Sequence, residues 1–204
     1  QVYRRFIIDS ITQLKYLELA NIQKSMDEIA NNSKKAVLQI YGDRSISEIF
    51  KRGYSLESNR IRVKEIMVSM KHQMPAIDDF YIFMKDENLV LSSIGYMDTP
   101  EDLYDSYYKN ANLSYDEWYS KILECDRAGY NVIHQKKTDS SGTELSEICY
   151  SLPLYPLNGR NITVVSVVNS RRYANTFEAF DGSNNTSFVV YDVNGTRYFT
   201  AGKY

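Results

Sequence analysis

Between Gln1 and Tyr41 apolar residues return at alternating steps of three and four, at Ile8, Ile11, Leu19, Ile22, Met26, Ile29, Ala36 and Ile40, with Lys15 and Ser33 as lapses in the stripe. No proline or glycine interrupts them, and the first glycine, Gly42, falls where a helix is expected to end. One helix of that length reaches roughly 60 Å at about 1.5 Å per residue, about twice the span of a small domain. Part of it is therefore expected to project as a stalk or to pair with a second copy as a homodimer. Ser45 to Phe50 is predicted as a short helix with Ser45 as N-cap and Glu48 three residues on. A further helix is predicted from Ser55 to Met74, with Ile61, Ile66, Met67 and Met70 on one side and Pro75 as its stop.

The period then changes. Ile77 to Met84 is aromatic and β-rich, Lys85 to Asn88 is a turn, and Leu89 to Ser93 returns as its partner. A helical segment follows, opened by Pro100 after Thr99 and restarted by Ser114 with Glu117. Asn131 to Lys137 and Leu145 to Leu152 form a second hairpin around Thr138 to Gly142, after which Pro153 and Pro156 are expected to end central pairing. Ile162 to Asn169 reads as a buried central strand. The expected class is α+β: a long N-terminal helix and a five-stranded antiparallel sheet with helices on one or both faces, the helical segment being inserted in it. Ser170 to Phe180 is predicted as a connecting helix and Asp181 to Asn185 as a linker. Phe188 to Tyr191 and Thr196 to Thr200 form a third hairpin. Two strands alone are marginal in water, so this tail is expected to dock on the long helix or to begin a second module. The domain reading is a stalk over residues 1–54, a sheet-bearing module over 55–169, a connection over 170–185 and the start of a second module or a docking hairpin over 186–204.

The helical insertion carries the densest cluster of rings in the chain, Tyr96, Tyr104, Tyr107, Tyr108, Tyr115, Trp118 and Tyr119. Such side chains join an apolar face to a polar tip and suit the wall of a small-molecule site, although most aromatic stripes serve packing. The ligand-binding candidates are Trp118, Tyr119, Tyr115, Tyr104 and Tyr96, with Tyr150 and Ser166 added from the sheet. Strand parity alone does not place those last two.

Composition narrows the function. The 204 residues with 43% hydrophobic content supply a core, and a net charge of −2 with interspersed signs gives no basic stripe, so no nucleic-acid contact is expected. No apolar run approaches the roughly 20 residues of a membrane span. Cys125 and Cys149 are expected as free thiols. There is no nucleophile elbow, phosphate loop or zinc-binding His-Glu-x-x-His, and His72 and His134 are the two histidines. Aligned about its turn, the second hairpin sets His134 opposite Glu147 with Cys149 on the same face, read as a cross-strand contact beside a core thiol. The chain is therefore read as non-enzymatic, with no cofactor and no metal site.

The order of these elements resembles a known family. The segments MPAIDDFYIFMKDENLVLSSIG, YDEWYSKIL, YNVIHQKKTDSSGTELSEICYSLPLY, ITVVSVVNS and FVVYDVNGTRYF look like the extracellular Cache sensor modules of bacterial membrane receptors. The likeness is greatest to the double-Cache input regions of two-component sensor histidine kinases and membrane-bound arabinose-regulator-type transcription factors. The resemblance implies a PAS-like fold over residues 55–169 as the membrane-distal module and signal transduction from outside the cell, with flanking transmembrane helices and a small ligand held between the sheet and the insertion. Trp118 and Tyr119 match the tryptophan and tyrosine that amino-acid-binding Cache domains place in their pocket. Those domains carry an arginine two positions before the tryptophan, and that position is Asp116 here, which repels a carboxylate. A sugar, a polyol, a cationic compound or no small ligand at all is left open. The alternative function is a protein-interaction or dimerisation module whose aromatic surface meets a partner; a third is a cytoplasmic PAS-like cofactor domain.

Overall fold

The computed structural model describes residues 2–51, 53–97, 99–138, 144–157, 160–169, 171–173, 175, 188–191, 195 and 197–201. The chain opens with α1, Val2–Gly42, one helix as its periodicity predicts. Its domain-facing stripe begins at Ile22 and continues through Met26, Ile29, Ser33, Ala36, Val37 and Ile40. Leu19, expected in that stripe, is exposed, as are Tyr16 and Leu17. Ser33, which looks like a lapse, is buried because it has a polar partner in the sheet, described below. The side chains of Ile8 and Ile11 lie outside the described residues.

Helix α2, Arg44–Ile49, is capped by Asp43 and not by Ser45: the Asp43 carboxylate accepts the Ile46 amide at 3.0 Å. A carboxylate at the helix start outcompetes a hydroxyl two residues later, since it also meets the positive end of the helix dipole. After a 3₁₀ turn at Glu57–Asn59, α3 runs Arg60–Gln73 and buries Val63, Met67 and Met70. Ile61, assigned to the buried side from spacing, is 78% exposed.

Strands β1, Asp79–Met84, and β2, Leu89–Ser92, form the first hairpin, and Asn88 takes the left-handed turn position at φ 50°. Strand β3, Gly95–Met97, adds a short edge. The insertion then contains α4, Pro100–Leu103, which continues as a π-helical turn over Tyr104–Tyr108, and α5, Tyr115–Ile122. Both helix starts carry the capping boxes their sequences encode, Thr99 with Asp102 and Ser114 with Glu117. Strands β4, Gly129–Thr138, β5, Glu144–Leu157, and β6, Arg160–Asn169, complete a sheet ordered β3-β2-β1-β6-β5-β4. All pairings are antiparallel and β6 is central, as expected; the five predicted strands are present and β3 makes a sixth.

Strand β5 continues through Pro153 and Pro156 to Leu157, past the end expected for it. Strand β4 pairs no further along β5 than Ser151, so beyond that point β5 has β6 on one side only. A proline whose missing N–H faces the unpaired side costs no ladder bond. Helical residues Arg171, Arg172, Tyr173 and Asn175 follow β6, and the rest of the predicted connecting helix and linker lies outside the described residues. Strands β7, Phe188–Tyr191, and β8, Arg197–Ala201, pair as a separate two-stranded sheet, with β8 beside β5 and Val190 against the main core.

The sheet is covered on both faces. On one, Phe80, Ile82, Leu91, Ile148, Val164 and Val168 pack against α1, α2 and α3. On the other, Tyr81, Phe83, Val90, Ile133, Cys149, Val165 and Val167 pack against the insertion. Period-two alternation along each strand divides the two sets. The α1 face holds a buried polar latch. Ser166 Oγ of β6 donates to the Ser33 carbonyl at 3.0 Å and lies 2.8 Å from Ser33 Oγ. With Ser166's one proton so used, the Ser33 hydroxyl donates to Ser166. Ser33→Ala strips Ser166 of that donor and Ser166→Ala leaves the Ser33 hydroxyl without its partner, so each is expected to cost about 1–2 kcal/mol in urea unfolding. The double variant is expected to cost less than the two together, the sign of a shared contact.

Candidate functional site

The insertion lays a stack of rings over its face of the sheet. Trp118 on α5 is completely buried. Its ring centroid lies 5.2 Å from Tyr108, 5.7 Å from Tyr104 and 6.1 Å from Tyr115. Tyr119 meets Tyr115 at 5.7 Å and Phe83 of the sheet at 5.5 Å. Helical geometry makes this possible: Tyr115, Trp118 and Tyr119 lie three and four apart on one face of α5, and Tyr104 and Tyr108 are four apart on the π turn. The Tyr104 hydroxyl donates to the Leu113 carbonyl at 2.7 Å, tying the two insertion helices together. Near Tyr104 the loop over residues 109–114 borders an open groove of about 430 Å³.

Four of the seven candidate residues, Trp118, Tyr119, Tyr115 and Tyr104, thus come together. Tyr96 lies on β3, and its side chain is outside the described residues. Tyr150 and Ser166 are on the opposite face. Tyr150 stacks on Tyr130 at 4.7 Å, and Ser166 holds α1. The register decides this, because Ser166 pairs with both Phe80 and Tyr150, and all three point toward α1.

The expected His134–Glu147 contact is also displaced. His134 pairs with Ser146, with Nδ1 2.9 Å from Ser146 Oγ, and Glu147 pairs with Ile133 on the insertion face. A register shift between His134 and Thr138 breaks the symmetric alignment about the turn. Cys149 remains beside Glu147 on its face, fully buried and free; burial pushes its thiol well above the usual range, which leaves it an inert core group.

Beneath the rings the sheet is polar. The hydroxyls of Tyr81 and Tyr108 are 3.0 Å apart, and Tyr108 also bonds the Glu147 carboxylate. Burial raises the Glu147 carboxyl above its ordinary value, against the Tyr108 bond, while Asp79 and Asp78 add repulsion. Asp79 is raised in the same way by burial, although Ser93 and the Phe80 amide both bond it. Glu147 Oε2 and Trp118 Nε1 are buried without a hydrogen-bond partner among the described residues.

Sequence reasoning placed the rings but missed Glu147, Tyr81 and Asp79 as parts of this interface. The available signal was the alternation Ser146-Glu147-Ile148-Cys149-Tyr150, with Glu147 in phase with Cys149. No group of His, Cys, Asp and Glu among the described residues is arranged to hold a metal ion. A second cavity of about 570 Å³ lies apart from the rings, between Glu124, Cys125 and Asp126 after α5 and Pro153, Leu154 and Thr163 of the sheet.

This architecture is shared with sensory domains of known structure. The sensory domain of the Campylobacter jejuni chemoreceptor Tlp3 with isoleucine bound superposes with a TM-score of 0.56 at 14% identity, over 96% of this chain and 73% of that one. The Tlp3 ligand-binding domain in complex with L-norvaline gives 0.57 at 14% identity, over 98% and 71%. A further structure of the Tlp3 sensory domain gives 0.55 at 13%, over 96% and 74%. At such identity the likeness establishes the fold. The sequence matches no protein-family model and no curated protein.

Proposed function

We propose that this chain is the extracellular ligand-sensing domain of a bacterial transmembrane signalling receptor, a Cache-type module that binds a small molecule between the sheet and the insertion. The observation that carries this reading is the interface itself. A layer of amphipathic rings covers a sheet surface in which the Trp118 N–H and one Glu147 oxygen have no protein partner among the described residues. Buried polar groups are nearly always paired, and a ligand that pairs them recovers a cost the fold otherwise carries. The fold shared with the Tlp3 sensory domains supports the reading, and those domains bind isoleucine and L-norvaline.

The site residues in this proposal are Trp118, Tyr119, Tyr115 and Tyr104, with Tyr96 adjoining; the module is residues 55–169, and residues 186–204 begin a second one. The rings are closely packed, so a ligand favours an arrangement with the insertion lifted from the sheet. Val165 and Val167 of β6 face the insertion while Ser166 between them holds Ser33 of α1, so a shift of that strand reaches the long helix directly. No helix among the described residues is long and apolar enough to cross a membrane; anchoring belongs to flanking transmembrane helices. Exposed Tyr16, Leu17 and Leu19 on α1 favour a homodimer through that helix. The same residues favour the second reading, a dimerisation module with no small ligand.

A thermal-shift screen against sugars, polyols, amino acids, organic acids and amines tests the proposal. A compound at 100 times its Kd adds about 2.7 kcal/mol to the unfolding free energy. The gain is expected to disappear in Tyr115→Ala and to persist in Ile61→Ala, an exposed position on α3. A folded protein that no compound stabilises would transfer support to the dimerisation reading.

A further inference from the structure

The interface is electrically one-sided. Asp79 begins β1 and faces Val167 of β6, Val167 faces Cys149 of β5, and Glu147 is the neighbouring residue of β5 on the same face. Two partly buried carboxylates therefore share one end of the sheet beneath the insertion, and the Glu147 Oε2 atom is itself buried. Asp79 has the Phe80 amide and Ser93, whereas Glu147 has Tyr108 and an oxygen still unmet. The cations nearby are engaged elsewhere: Lys71 donates to the Ile77 carbonyl at 2.9 Å, and Arg172 bonds Asp78 at 2.9 and 3.0 Å. Asp116, in the first turn of α5, adds a further negative charge at the insertion.

A second, independent observation comes from the other side of Tyr108. The Trp118 ring packs on the Tyr108 ring, and its N–H, fully buried, finds no acceptor among the described residues. One tyrosine thus separates an unmet anionic acceptor from an unmet neutral donor. Resting on the ligand-sensing reading above, we propose that the interface selects a primary ammonium compound that carries a neutral hydrogen-bond acceptor, such as an amino alcohol or an amino amide. The ammonium donates to Glu147 Oε2 over the faces of Tyr81 and Tyr108, and the hydroxyl or amide oxygen accepts from Trp118 Nε1.

Other classes fail on the same groups. A carboxylate end meets Glu147 and Asp79, while Lys71 and Arg172 are held by other partners. A quaternary ammonium has no N–H to give Glu147, and a neutral polyol leaves a buried charge without its counter-ion.

Titration calorimetry on the purified domain tests this with matched sets built on the side chains of alanine, leucine and phenylalanine. Each set contains the amino acid, the amino alcohol, the amino amide, and the amine with the acceptor deleted. In at least one set the alcohol or amide is expected to bind ten-fold or more tightly than the acid. Glu147→Gln is expected to weaken that binding at least ten-fold. Trp118→Phe is expected to weaken the alcohol and amide by a larger factor than the acceptor-free amine. The inference is overturned if the acid binds as tightly, if Glu147→Gln has no effect, or if no member of any set binds. If instead a sugar or an organic acid stabilises the protein and loses its effect in Tyr115→Ala, the sensory reading stands and the ligand class falls; if nothing binds at all, both fall.

Discussion

Trp118→Ala is expected to lower the unfolding free energy by about 3–5 kcal/mol, a large part of the 5–15 kcal/mol typical of a whole domain. The indole is completely buried and contacts Tyr104, Tyr108 and Tyr115, so its removal opens a space that three large rings must either collapse into or leave unfilled. Collapse is restricted, because Tyr104 is tied to Leu113 and Tyr108 to Tyr81. Trp118→Phe is expected to behave differently. It keeps most of the apolar volume and deletes an N–H that has no partner among the described residues, so the packing loss is partly offset by relief of an unmet donor. A loss of about 1 kcal/mol or less is expected. Urea unfolding of both variants separates the two contributions. Equal losses in the two would mean that the N–H is satisfied in solution and that the ligand role given to it is wrong.

Much of this interface was legible because helices write their contacts locally. The spacing of Tyr115, Trp118 and Tyr119 fixes them on one face, and the Thr99 and Ser114 capping boxes fix where each insertion helix begins. The sheet is harder to read because its contacts depend on register. Moving one residue along a strand exchanges its faces. The bulge past His134 therefore put Glu147 with Ile133, where a symmetric hairpin puts it with His134, and sent His134 to Ser146. The face of Ser166 stayed open for a related reason: β6 is apolar on both faces, so its sequence carries no alternation to read. Ser33 looked like an interruption in a helical stripe because its partner lies 133 positions away. Glu147 was missed because a charged residue between alternating strand positions ordinarily marks solvent, and here the insertion covers it.

That cover gives Glu147 the second large effect, read most clearly as a dependence on pH. Tyr108→Phe removes the hydroxyl that bonds Glu147 and leaves the carboxylate with neither oxygen paired among the described residues; it also strips Tyr81 of its partner. The expected cost at neutral pH is about 1–3 kcal/mol. Burial already holds the folded-state carboxyl above its ordinary 4.5, and the Tyr108 bond opposes that rise, so the substitution moves it further up. A carboxyl raised on folding contributes stability that is fully present below its unfolded value and is lost as pH climbs through the folded one. Asp79 is raised in the same direction, and repulsion from Asp79 and Asp78 adds to the rise at Glu147, while Tyr81 and Cys149, both pushed well above their ordinary values, stay neutral throughout. The gap between Tyr108→Phe and the unaltered protein is therefore expected to be small near pH 4 and to widen toward pH 8. Adding Glu147→Gln is expected to flatten it, since the amide has no charge to desolvate. Urea unfolding of the three proteins across that range decides the matter, and a gap independent of pH would show that the tyrosine hydroxyl does not hold the carboxylate.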